Sequence, residues 1–315
     1  MIKIYNTDTE KNETTEQKEI KKGCWINMVS PSEKEINEVC RKTKISDDFI
    51  KYALDYEEKA RIDKEDDGTV LFIIDVPIQE KEEDSQIYTT LPVGLIVVRD
   101  DYFITVSLKK NKIISGLERS VSKSITTYKK SRFIFQFFYE NASVFLKYLK
   151  QINRETEVAE GTLKKTLQNS ELLKLLNLEK SLVYFTTSLK ANEVVMEKTL
   201  RGKIIKLYEE DEELLEDAII ENKQAIEMSK IYSDILNGSM DAYASIISNN
   251  LNGVMKMLTS ITIILAIPTL IASLWGMNVP VPWQNNQWGF AILAVAMVVV
   301  TAITIWWLKR RDLLS

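Results

Sequence analysis

Asn252, Met255, Thr259, Thr262, Ala266, Thr269, Ser273 and Gly276 recur at alternating steps of three and four. That spacing sets them on one face of a helix. The face is mostly small or polar, while Ile and Leu dominate the others. Two kinds of chemistry fit. Small-polar stripes let membrane helices approach closely and hydrogen-bond, the commoner use of such spacing. They also line water-filled pores. A second set of candidates is acidic: Glu209, Glu210, Asp211, Glu212, Glu213, Glu216 and Asp217. Acids at a helix start favour the macrodipole. The same oxygens suit a hard cation such as Mg²⁺, which often keeps its waters.

Other chemistry is excluded by composition. There is no histidine, which removes Ser-His-Asp and Cys-His catalysis and every His-containing metal site. The two cysteines, Cys24 and Cys40, form no CxxC. They read as ordinary thiols in a reducing cytoplasm rather than a disulfide framework. The net charge is −4, with no net basic region, so nucleic-acid binding is disfavoured. Residues 1–19 lack an apolar h-region and are too acidic for a typical transit peptide.

The stripe lies in a segment with its own character. Residues 257–308 carry no charge, too long for one helix across a hydrocarbon core of about 30 Å and suited to two spans of about 20 residues. Pro280, Pro282, Trp283, Gln284, Asn285, Asn286, Gln287 and Trp288 read as a polar turn with interfacial tryptophans. The first span is read as 255–275 and the second as 289–308. Lys256 stands at the start of the first, and Lys309, Arg310 and Arg311 follow the second. The positive-inside rule then puts both ends in the cytoplasm. Pro268 removes one backbone donor inside the first span.

The soluble part reads in two sections. In residues 1–108, β-branched or alternating runs fall at 2–5, 24–29, 70–76, 94–98 and 103–106. Residues 31–42 and 46–54 look helical, with Ser30 and Ser46 as N-caps. No proline occurs between 93 and 267, and from 109 onward the tract reads as long helices. The last of these starts near Glu209 and continues into the first span; from 210 to 275 it would measure about 99 Å. So long a helix calls for neighbours. The fold class is therefore an α+β cytoplasmic domain at 1–128 and a helical bundle with a long last helix at 129–254. The spans follow, with an external loop at 276–288 and a basic tail at 309–315.

Trp275, Gly276, Met277 and Asn278 close the first span. The Gly-Met-Asn tripeptide there, the proline-free helix before it and the Lys-Arg-Arg tail after the second span together resemble the CorA family of divalent-cation channels. The stretch Asn252, Gly253, Val254, Met255, Lys256, Met257, Leu258, Thr259 is similar to that family's entry to the first span. The resemblance implies a cytoplasmic α/β/α domain, a stalk helix that becomes the inner membrane helix, and a homopentameric funnel in a cell membrane of bacterial type, with Mg²⁺ as transported and regulatory ion and no other cofactor. Two helices cannot enclose a pore, so some oligomer is required in any case, and cyclic symmetry turns the stripe toward an axis. With the resemblance, pore lining becomes the favoured use of the stripe.

By the same resemblance Gly276, Met277 and Asn278 are the selectivity motif, with the Asn278 amides forming a ring that meets the water shell of Mg²⁺. Asn252 and Thr269 supply further polar rings, and Met255 and Leu258 the apolar gate, which closes by dewetting. Asp217, with Glu82, Glu83 or Asp84 of a neighbouring chain, would bind internal Mg²⁺ and hold the funnel closed. One departure stands out. Residues 279–287 hold no acid, so charge does less there to concentrate cations. The function implied is influx of Mg²⁺, with Co²⁺ or Ni²⁺ possible, driven by membrane potential. The alternatives are a proton-coupled Zn²⁺ transporter like the ZntB branch, or a membrane-anchored oligomeric sensor or scaffold. With neither acid nor histidine in either span, an enzyme is not expected.

Overall fold

The computed structural model describes the chain apart from residues 9–12, 83–84, 100, 121–125, 167–168, 203, 207, 280, 283–286, 312 and 314–315, and gives the backbone alone at 81–82, 85, 120 and 165–166. Its contacts divide the chain into two units, Met1–Asn237 and Gly238–Ser315.

The first unit is built on a seven-stranded sheet. Its strands are β1 (Ile2–Asp8), β2 (Glu13–Gln17), β3 (Trp25–Val29), β4 (Arg61–Lys64), β5 (Val70–Glu82), β6 (Ser85–Val98) and β7 (Tyr102–Ser107), in the order β2-β1-β3-β7-β6-β5-β4. Neighbours are antiparallel except β3 and β7. Alternation along the central strands explains a sheet covered on both sides. On β5, Val70, Phe72, Ile74 and Val76 enter one core while Leu71 and Ile73 enter the other. On β6, Leu91, Val93, Leu95 and Val97 oppose Ile96 and Val98 in the same way.

Two short helices cover the second face, α1 (Glu33–Thr43) and α2 (Asp47–Tyr52). Ser46 caps α2 through its hydroxyl, as its position in the sequence predicts. At α1 the cap is Ser32, not Ser30. Ser32 and Glu35 form a capping box, whereas Ser30 sits at φ +44°. The Glu at the third helical position decides between the two serines. Gly94 lets this layer approach, because a Cβ there would stand 2.6 Å from Ala53 Cβ.

The first face takes α3 (Lys112–Ser120), α4 (Lys130–Thr166), α5 (Asn169–Gly202) and the start of α6 (Glu209–Trp275). An aromatic group docks α4 on the sheet: Phe133 lies 4.8 Å from Trp25 and 4.7 Å from Phe103, ring centre to ring centre. Each such fully buried side chain is worth about 1.5–3 kcal/mol.

β5 and β6 are longer than the sequence runs 70–76 and 94–98, and both pass through a proline. Among the described residues β5 has no strand on its outer side beyond residue 73, and β6 has none before residue 93. Pro77 and Pro92 therefore fall in a two-stranded ribbon where a missing donor is tolerated. Three of the ribbon's backbone groups are taken by helix side chains. Asp75 N donates to Asn192 Oδ1 at 2.9 Å, and Asn192 Nδ2 returns a 2.8 Å bond to Asp75 O. Asn192 thus occupies the place of a continued β4. Asn141 Nδ2 adds a bond to the same carbonyl at 2.9 Å, and Tyr88 N donates to Ser181 Oγ at 3.2 Å.

At this junction burial pushes the Asp75 carboxyl up to about 6, against the pull of the Ser188 hydroxyl. An unfolded aspartate titrates near 3.8, so the fold holds the proton to higher pH. The stabilisation is complete below the unfolded value and is lost as pH rises through about 6. Asp75→Asn, which carries no charge to bury, is expected to stabilise the chain by on the order of 2 kcal/mol at about pH 8 and by nothing near pH 4. Thermal unfolding in micelles at the two pH values checks this; an equal effect at both would remove Asp75 as the source.

Candidate functional site

The acidic candidates separate in the structure. Asp211 is buried at the start of α6, with Arg132 Nη1 at 3.9 Å, and Glu210 pairs with the same guanidinium at 3.3 Å. Burial raises the Asp211 carboxyl while Arg132 and Lys129 oppose the rise. These two acids fasten α6 to α4, a role that the run of like charges in the sequence did not reveal. Asp217 is exposed. Its expected partners Glu83 and Asp84 lie outside the described residues, and of Glu82 only the backbone is described. Among the described residues no group of three or more acids or cysteines is placed to hold a metal ion.

The second unit contains the remainder of α6 and a last helix, α7 (Gly289–Arg310). Both helices are long and apolar enough to cross a membrane, and only 6% of each apolar window is buried. A core helix of a soluble protein would be covered. Here Leu265, Leu270, Phe290, Val295 and Val298 stay exposed. Arg310 and Arg311 lie over the rings of Trp306 and Trp307, the arrangement in which a cation reaches toward headgroups while its aromatic partner stays at the interface.

On α6 the stripe is left uncovered by the described residues of its own chain. Asn252, Met255, Leu258, Thr259, Thr262, Ala266, Thr269 and Ser273 are all exposed. At about 100° per residue they fall within about 120° of arc. The covered residues of the same stretch, Ser260, Ile264, Ile267, Pro268, Ile271 and Trp275, centre on the opposite side. On α7, Gly289, Leu293, Met297, Thr301, Thr304 and Leu308 form the covered face. Ser260 Oγ donates to Leu313 O at 2.7 Å beyond the end of α7.

The hydroxyls of the stripe have a direction. Thr259, Thr262 and Thr269 donate to the carbonyls of Met255, Leu258 and Leu265, each at 2.8 Å. With the proton committed to backbone, each oxygen keeps its two lone pairs as acceptors. An acceptor lining suits a cation that travels in its water shell, because that shell presents O–H groups. Residue types alone did not reveal this polarity, since a free hydroxyl rotates.

Gly276, Met277 and Asn278 follow the last residue of α6 and are exposed. Gly276 N still bonds Ala272 O at 2.9 Å, and a Cβ at Gly276 would crowd that carbonyl at 3.3 Å. Trp275 Nε1 donates to Pro282 O at 3.1 Å, tying the helix end to the far side of the turn. The expected turn residues Pro280, Trp283, Gln284, Asn285 and Asn286 lie outside the described residues.

A family model described as CorA-like Mg²⁺ transporter protein matches residues 21–310. The chain belongs to the CorA family. It is 30% identical over 296 residues to the cobalt/magnesium transport protein CorA of Methanocaldococcus jannaschii, covering 91% of this chain and 90% of that one. The complete structure of the CorA magnesium transporter from the same organism matches with a TM-score of 0.85 at 26% identity, covering 98% of each chain. The ZntB cytoplasmic domain from Vibrio parahaemolyticus, with a TM-score of 0.60 at 11% identity over 79% of this chain and 97% of that one, shares the fold alone. The mixed α/β domain, the long helices and the C-terminal apolar helix are thus those of a CorA membrane protein. Membership places the chain with ion transporters rather than enzymes.

Proposed function

We propose that this CorA protein is a channel through which Mg²⁺, and with it Co²⁺ or Ni²⁺, enters the cell down the membrane potential. The observation that carries the reading is the exposed α6 stripe, opposite the covered face and lined with acceptor oxygens. Copies of the chain, five by likeness to the family, surround an axis with that stripe. Asn278 rings the external mouth, and Asn252 and Thr269 supply polar rings below it. Met255 and Leu258 form the apolar constriction. Both chain termini are cytoplasmic. The drive is about 4.6 kcal/mol for a divalent ion at 100 mV.

Gating by internal Mg²⁺ rests on Asp217 of one chain and Glu82, Glu83 or Asp84 of the next. Without the ion, like charges face each other and the closed state loses its advantage. Asp217→Asn would then leave flux less sensitive to internal Mg²⁺.

Flux into proteoliposomes tests the function, with Mg²⁺, Co²⁺, Ni²⁺ and Zn²⁺ compared under an imposed potential. The reading expects Mg²⁺ entry that scales with potential and ignores a proton gradient. Zn²⁺ uptake that follows the proton gradient would move the protein to ZntB-like coupling, and absence of all flux would leave an anchored scaffold.

A further inference from the structure

A buried hydroxyl of the second unit serves a segment other than its own helix. Thr259, Thr262 and Thr269 all bond carbonyls of α6 itself. Ser260, next in sequence to Thr259, donates instead to Leu313 O, past the end of α7, at 2.7 Å. Ser260 is 1% exposed, so water does not compete for the bond. The acceptor is seated by the way α7 stops. Leu308 O accepts from Arg311 N and from Leu313 N, each at 3.2 Å. A donor five residues beyond its acceptor closes a helix C-terminus and turns the chain back. The Leu308 side chain at that end is fully buried. Leu313 is thus held twice, by its N–H on α7 and by its carbonyl on α6.

The height of this contact matters. Ser260 follows Leu258 by about 3 Å along the helix axis and Met255 by about 7.5 Å. It stands on the covered side of α6, across the helix from those two exposed side chains. The end of α7 that receives it carries Arg310 over Trp306 and Arg311 over Trp307, an arrangement that anchors a helix at the membrane interface. We propose that Ser260 is a positioning residue of the gate. With the Leu313 carbonyl it latches α6, at the level of Met255 and Leu258, onto the C-terminal turn of α7, and the latch shifts or releases when the constriction changes width. The gate role rests on the channel reading; the latch itself does not. The effect is moderate, because a Ser260 hydroxyl freed from Leu313 can turn to a carbonyl of its own helix.

Carboxypeptidase digestion of the full-length protein in micelles, followed by intact mass, reads the latch without ion flux. Release of Leu313 requires the turn to open, so its rate follows the open population. Ser260→Ala should speed that release about fivefold, the scale of an interhelical hydrogen bond in a membrane. Ser260→Thr keeps the hydroxyl and should restore the slow rate. Proteoliposome flux reads the gate. Ser260→Ala should move the internal Mg²⁺ concentration that halves flux by about fivefold. Leu313→Pro lacks the N–H that seats the carbonyl and should move it to the same side by a similar factor. The double variant should move it no further, since both changes remove the same contact. The ratio of Mg²⁺ to Co²⁺ flux should stay as in the wild type, because Asn278 is untouched. Release of Leu313 that ignores Ser260 overturns the latch. Faster release in Ser260→Ala with an unmoved response to internal Mg²⁺ overturns the gate role. Absence of wild-type flux overturns the channel reading and the gate role with it, while the digestion still decides the latch.

Discussion

Asn278→Leu is expected to lower Mg²⁺ flux by about 100-fold or more. On the proposed reading Asn278 rings the external mouth and meets a Mg²⁺ that keeps its waters, so it must accept hydrogen bonds from that shell rather than strip it. Leucine has the same number of side-chain heavy atoms as asparagine and accepts none. A hydrogen bond to a charged partner is worth about 1.5–3 kcal/mol, and losing 2.7 kcal/mol or so from the entry step slows it about 100-fold. Asn278 is exposed and follows a turn held by the Gly276 N to Ala272 O bond and by Trp275 Nε1 on Pro282 O. The substitution removes the amide and leaves that support in place. Asn278→Gln keeps an amide one methylene displaced and should retain part of the flux. Proteoliposome uptake measures both variants, and wild-type flux in Asn278→Leu would sink the selectivity reading.

Asn192→Leu is expected to destabilise the first unit by about 3 kcal/mol. Asn192 is fully buried and makes two hydrogen bonds to the Asp75 backbone. Leucine fills the space but leaves the Asp75 N–H without an acceptor, and an orphaned buried group costs about 1–3 kcal/mol beyond the bonds lost. Asn141→Leu supplies the contrast. It removes one of two donors to Asp75 O, and Asn192 Nδ2 still serves that carbonyl, so the loss should be nearer 1 kcal/mol. Denaturation of both variants in micelles checks the ranking, and equal losses would mean that Asn192 does not stand in for a strand.

Elements governed by local chemistry were legible before any coordinates. The uncharged stretch 257–308 yields two membrane-length helices, α6 ending at Trp275 and α7 beginning at Gly289, because hydropathy and length alone decide what spans a bilayer. The start of α6 at Glu209 follows from its acidic first turn. The strand runs of residues 1–108 were legible from their alternation. Strands β2 and β4 were missed, since Glu13–Gln17 and Arg61–Lys64 are short, polar edge strands that carry almost no hydrophobic signal. The full lengths of β5 and β6 were hidden by Pro77 and Pro92, whose effect depends on which side of the ribbon is unpaired.

What residue order along the chain determines here is the class of each segment, through period, charge and capping, together with the helical face that bears Asn252, Thr262 and Thr269. Those properties depend on near neighbours. The tertiary structure decides the rest, because the partners are far apart in sequence. Asn192 meets Asp75, and Arg132 takes Glu210 and Asp211. The same holds inside the second unit. Spacing gives the stripe, but only the position of the covered face shows that it points away from its own chain.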